Sequence, residues 1–172
     1  MYFYLIILLI LLYASLYYLY NNEFSIYQVN IENFDFELLY KKQPIVISEK
    51  ITNIDNVIDN WFNYNIIYNL DNNYIWEKNK YKYLFVISKD NEPVEISLCN
   101  PNSHIINGAA QVTGVTQVTR VPRQDSNITT IKLDNKALII PFNWYYYISG
   151  NANIYGIHDY ITICTSVLSK KI

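Results

Sequence analysis

Two histidines, His104 and His158, and two cysteines, Cys99 and Cys164, are the only side chains of their kinds in 172 residues. Any metal or thiol chemistry must therefore be assembled around them. A metal site would need His104, His158, Asp159 and a further carboxylate such as Glu95 to converge in space, because no compact ligand motif places them together. The cysteines are far apart and form no C-x-x-C pair, so zinc and dithiol chemistry lack their usual spacing. Cys99 or Cys164 with His158 would make a thiol–imidazole pair, but no flanking signature accompanies either. Glu92 and Glu95 flank a hairpin and read as surface carboxylates. There is no G-x-S-x-G elbow, no P-loop and no G-x-G-x-x-G, with only 4 glycines in the chain. An isolated histidine is more often a satisfied side chain than a ligand. The residues thus name no catalytic side chain, no metal site and no cofactor, with His104, His158 and Asp159 as the alternative metal set.

The charge balance excludes another class. Lys and Arg number 13 against 15 Asp and Glu, for a net charge of −2, and no cluster of basic residues marks a nucleic-acid surface. Composition is skewed instead toward 27 Ile, 22 Asn and 18 Tyr, residues with A/T-rich codons. That bias fits an A/T-rich genome, large DNA viruses among them. It also makes many Asn and Tyr fillers rather than chosen groups, although abundant aromatic rings offer a sugar- or peptide-binding platform.

The elements that must position these groups begin with Tyr2 to Tyr20, YFYLIILLILLYASLYYLY, which carries no charge. As a helix it spans about 28 Å, close to the ~30 Å hydrocarbon core of a bilayer. Tyr2 and Tyr4 at one end, and Tyr17, Tyr18 and Tyr20 at the other, match the two membrane–water interfaces. A cleaved signal peptide would want a basic start and a small-x-small site, and Ala14-Ser15 is the only small pair. The expectation is a single-pass anchor over residues 1–22, with the lipid bilayer as partner through residues 2–20. Residues 23–172 follow as one domain, large enough to bury a core. Its orientation stays open, since Lys41 and Lys42 are the first basic residues. The sequon at Asn127 is a chance triplet in so Asn-rich a chain.

Within the domain, Phe24 to Val29 alternates as a first strand. Asn33 to Tyr40 reads as a helix with Asn33 as N-cap, and PIVISE after it as a buried strand. Ile51 to Phe62 spaces Ile51, Ile54, Val57, Ile58, Trp61 and Phe62 along one helical face. Strands are then predicted at 74–76, 81–88, 94–98, 129–133, 137–140, 145–148 and 160–168. Val112 to Val121 repeats Val-Thr-x with a period of three that suits neither helix nor strand, leaving a bulged strand or a loop. Helices early and strands late argue for an α+β, mainly β, domain with an antiparallel sheet, as a sandwich or jelly roll.

Two of these segments together are similar to a known family. NFDFELLYKKQPIVISEKI resembles the opening of cupin-like, JmjC-type domains. IKLDNKALIIPFNWYYYI resembles their late hairpin, with the same spacing from Pro141 to Trp144. The resemblance implies a double-stranded β-helix, a cupin-like jelly roll with two helices at its N-terminal side. Active relatives hold Fe(II) with His-x-Asp/Glu plus a distant His and use 2-oxoglutarate. Here His104 is followed by Ile105-Ile106, His158 stands directly beside Asp159, and the positions after Trp144 are Tyr145 and Tyr146. The resemblance therefore implies a non-catalytic relative, structural or protein-binding, fitting a virion membrane if the source is viral. Trp144, Tyr145, Tyr146 and Tyr147 are its candidate pocket or interface, and a protein is its expected partner. The competing expectation is a hydroxylase-like enzyme with a rearranged metal site.

Overall fold

The structure is a computed structural model that describes residues 2–18, 24–51, 54–62, 65–89, 92–101, 105–112, 115–122 and 128–163. In chain order its elements are α1 (Tyr2–Tyr18), β1 (Tyr27–Val29), a 3-10 turn (Ile31–Asn33), α2 (Glu37–Tyr40), β2 (Ile45–Ile47) and α3 (Ile54–Trp61). Strands follow: β3 (Ile66–Leu70), β4 (Glu77–Lys78), β5 (Tyr83–Ser88), β6 (Val94–Cys99), β7 (Ile105–Val112) and β8 (Val115–Pro122). β9 (Ile128–Leu133), β10 (Ala137–Pro141), β11 (Tyr145–Ser149) and β12 (Ala152–His158) complete the set. A single helical turn closes the described chain at 160–163.

The uninterrupted apolar runs explain the centre. In β5 and β10 successive side chains point to opposite faces, and both faces are buried. Leu84, Val86, Leu138 and Ile140 enter one core, while Tyr83, Phe85, Ile87, Ala137 and Ile139 enter another. These two strands lie inside a six-stranded sheet ordered β1-β2-β10-β5-β12-β3, antiparallel except for the parallel β1–β2 edge pair. The first core lies between this sheet and a four-stranded one ordered β4-β11-β6-β9. Val94, Ile96, Leu98, Leu133, Tyr146 and Ile148 supply the facing side. The second core lies under the helical segments, through Leu39, Ile51 and Phe62 with Phe34, Val57 and Trp61 at its margin. Phe34 and Trp61 stack there with centroids 4.1 Å apart. From β3 to β6 and again from β9 to β12, each strand lies in the other sheet from the one before it.

Several expectations need correction. The chain is mostly β, with two unequal sheets and a separate β7–β8 ribbon. Neither a double-stranded β-helix nor a preceding transmembrane helix is shown. Among the described residues no helix is long and apolar enough to cross a membrane. α1 is described over 17 residues, Tyr2–Tyr18. Its residue Tyr13 is moreover hydrogen-bonded to the domain, through Asp159 and Lys82. The single-pass membrane location, including a virion membrane, is withdrawn on that finding. Of the tyrosines assigned to an anchor, Tyr4 is exposed on α1. Tyr2, Tyr17 and Tyr18 belong to α1, with side chains outside those described, and Tyr20 lies outside the described residues.

Local readings shift too. Of the helix expected over Asn33 to Tyr40 only α2 is helical beyond Asn33, where the 3-10 turn ends, and Asp35, not Asn33, accepts from the Glu37 N–H at 2.9 Å. The strand expected at 74–76 is a loop, in which Tyr74 has φ 52°. β3 and β12 fall where no strand was expected. The expected 160–168 strand instead begins with the helical turn at 160–163, and its remainder lies outside the described residues. The Val-Thr-x repeat falls on the end of β7 and along β8, which pair antiparallel from Val112↔Val115 to Ile105↔Pro122.

Candidate functional site

The segment singled out at 141–147 is organised by one buried amide. Asn79, 1% exposed, donates through Nδ2 to the carbonyls of Ile140 and Pro141, each at 2.9 Å. Its Oδ1 accepts from the Tyr81 N–H at 2.9 Å. Its backbone N–H donates to the Trp144 carbonyl, and its carbonyl accepts from the Asn143 N–H, both at 2.8 Å. Asn143 turns the chain with φ 69°, a left-handed conformation that Asn tolerates better than most residues. This knot fixes where β11 starts and therefore which tyrosines face in.

Alternation does the rest. Trp144 and Tyr146 point inward; Tyr145 and Tyr147 lie half-buried on the outer face. Trp144 is 2% exposed, with Nε1 donating to the Lys42 carbonyl at 3.0 Å and the ring against Phe24, so it serves as packing. Tyr146 donates to Glu77 Oε2 at 2.8 Å, and the other oxygen of Glu77 accepts from Asn73 Nδ2 at 2.7 Å. Burial, with the Glu77 carboxylate beside it, pushes the Tyr146 phenol far above its ordinary value. Outside, the Lys78 ammonium stands 5.2 Å from the Tyr145 ring centre, and Trp76 lies against Tyr147 at 6.0 Å.

The imidazole and carboxylate named as a metal set go separate ways. His104 lies outside the described residues. His158, 5% exposed, ends β12 with Nδ1 3.2 Å from Thr162 Oγ1 and its ring 5.0 Å from that of Tyr81. Burial lowers its pKa, with Lys80 adding to the effect and Asp159 opposing it. Asp159 turns to the other side. Its Oδ1 accepts from the Thr162 N–H at 2.7 Å, capping the helical turn. Its Oδ2 accepts from Lys82 Nζ at 2.7 Å and the Tyr13 hydroxyl at 2.5 Å. Those bonds outweigh desolvation and hold the Asp159 carboxyl down at about 2. Glu95 is exposed on the outer face of β6, opposite Lys132 and Ser149. Among the described residues no three His, Cys, Asp or Glu side chains gather closely enough to hold a metal ion. Cys99 is buried with a free thiol, and Cys164 lies outside the described residues.

What sequence reasoning missed is the polar cavity beside Glu77. It has a volume of about 300 Å³ and is lined by Asn69, Asp71, Asn73, Lys80, Tyr81 and Tyr146 among others. A shallower hollow of about 290 Å³ shares Glu77, Lys80, Tyr81 and Tyr146 and opens toward Trp76, Lys78 and Tyr145. Glu77 and Tyr146 stand 69 residues apart, and in so Asn-rich a chain the asparagines carry no signal of their own. The pairing of β4 with β11 (Tyr146↔Glu77) is what joins them. Compared with known proteins, the chain matches no protein-family model and no curated protein.

Proposed function

We propose that this protein is a non-catalytic interaction module that meets a protein partner through the outward face of its four-stranded sheet. The observation that carries this reading is the row of Trp76, Tyr145 and Tyr147 on that face. Tyr145 and Tyr147 alternate outward from β11, with a cation over one ring and an indole against the other. Aromatic side chains that are already held in place lose little freedom when covered, and they are enriched at the cores of interfaces. Ser97 and Thr130, hydrogen-bonded at 3.0 Å, and the Glu95–Lys132 cross-strand pair supply the polar rim such a patch needs. The groups best suited to acid–base work meanwhile have other duties: His158 is packed against Tyr81, and Asp159 is held by Lys82, Tyr13 and Thr162.

The test is site-specific photo-crosslinking in cells that make the protein. A photoreactive residue at Tyr147 should yield a discrete protein adduct, lost when Trp76 and Tyr145 are both changed to alanine. The same probe at exposed Glu32, in the 3-10 turn after β1, should yield none. The same adducts from both positions, or no adduct from Tyr147, would overturn the reading.

A further inference from the structure

We infer that the cavity beside Glu77, which adjoins the outer sheet face, is a binding site for a small neutral sugar. The walls supply the two things a pyranose needs. Sugar hydroxyls both donate and accept, so a receptor must offer both in close alternation. Asn69, Asp71, Asn73, Glu77, Lys80, Tyr81 and Tyr146 do so around one volume of about 300 Å³. The C–H faces of a sugar ring are apolar and pack flat against aromatic rings. Tyr81 is in the lining, with the Lys80 ammonium 5.5 Å from its ring centre, and its position is enforced: a Cβ at Gly156 would come within 2.6 Å of the Tyr81 ring. Gly156 is thus what lets the ring lie against β12.

Preorganisation is visible on both sides of the cavity. The Glu77 carboxylate is clamped at one oxygen by Tyr146 and at the other by Asn73. The 71–74 loop is tied down by Asn72, whose Nδ2 donates to Ile148 O at 3.2 Å and to Gly150 O at 3.0 Å. Fixed polar groups lose less entropy when a ligand arrives. Charge selects against other ligands. Two carboxylates, Asp71 and Glu77, face one ammonium, Lys80, which disfavours phosphates. Two carboxylates alone, one already hydrogen-bonded at both oxygens, are a poor cage for a divalent cation. The volume stands at the lower end of ligand cavities, room for roughly one pyranose ring or two.

The full chain is titrated calorimetrically with glucose, galactose, mannose, N-acetylglucosamine and their β-linked disaccharides, with inorganic phosphate and Ca²⁺ as contrasting probes. At least one sugar should bind. Its affinity should fall about tenfold in Asp71→Ala and again in Asn69→Ala, each removing a hydrogen-bonding group. Both positions are exposed, so both variants should keep the parent melting temperature. Failure of every sugar to bind would overturn the inference. So would binding that both variants leave intact, or phosphate or Ca²⁺ binding more tightly than any sugar. None of these outcomes bears on the crosslinks expected from Tyr147.

Discussion

Asp159 performs three tasks with one side chain: it caps the helical turn at 160–163, pairs with Lys82 and accepts from Tyr13 of α1. Lys82 and Asp159 are 20% and 19% exposed in their side chains, so their pairing is neither a loose surface contact nor fully buried. Asp159→Asn should cost about 1–3 kcal/mol near neutral pH, between the ranges for exposed and buried pairs. The pH dependence follows from the sign of the shift. The folded carboxyl titrates at about 2 and the unfolded one at 3.8. Its stabilisation is therefore complete above the unfolded value and disappears as pH falls through the folded one. Urea titrations should show a constant gap between parent and variant from neutral pH to about 5, closing toward about 2. His158 acts in a different window. Burial lowers its folded pKa below 6.5, so the unfolded chain takes up the proton first. Its contribution is full above 6.5 and declines as pH falls below it. His158→Gln should flatten that decline in melting temperature between about pH 7 and 5, and an unchanged slope would refute the assignment.

At the scale of elements, the two cores predict contrasting sensitivities along neighbouring strands. Leu138 and Ile139 are adjacent in β10, face opposite cores and are both 0% exposed. Each alanine replacement should cost about 2–5 kcal/mol in chemical denaturation, despite removing contacts from different layers. In β11, where one face is open, Tyr147→Ala should cost about 1 kcal/mol. The same contrast explains what the sequence made legible. YLFVI and ALII are apolar without a break because both faces are covered, and that pattern alone marks them as strands. β3 contains Tyr68 and Asn69, and β12 contains Asn153, Gly156 and His158. Such residues give no clean alternation, and the strands form because β12 finds β3 and β5 as partners. Conversely, YITICTSVL carries β-branched residues, yet Asp159 starts a helical turn there by satisfying the Thr162 N–H. Local capping overrode propensity. The candidate cavity was illegible for a related reason. Its walls come from β3, the 71–74 loop, β4, β11 and β12, and no spacing within any one of them announces it.

For the whole molecule, the decisive feature is how far apart in sequence the paired strands lie. β2 pairs with β10, β5 with β10 and β12, β3 with β12, and β4 with β11. Nearly every ladder outside the β6–β9 region and the β7–β8 ribbon closes a long stretch of chain, and such topologies form slowly. Stopped-flow refolding by tryptophan fluorescence should be in the range of milliseconds to seconds, and a microsecond phase carrying the full amplitude would contradict this pairing scheme.

β12, the last strand among the described residues, lies between β3 and β5 in the six-stranded sheet. On the ribosome this makes completion of the six-stranded sheet wait for a late stretch of the chain. Until His158 has cleared the exit tunnel, β3 has no neighbour in the sheet and one edge of β5 stays bare, open to other nascent chains. A stalled or prematurely ended product should therefore be a substrate for chaperones and proteases rather than a smaller working version of the protein.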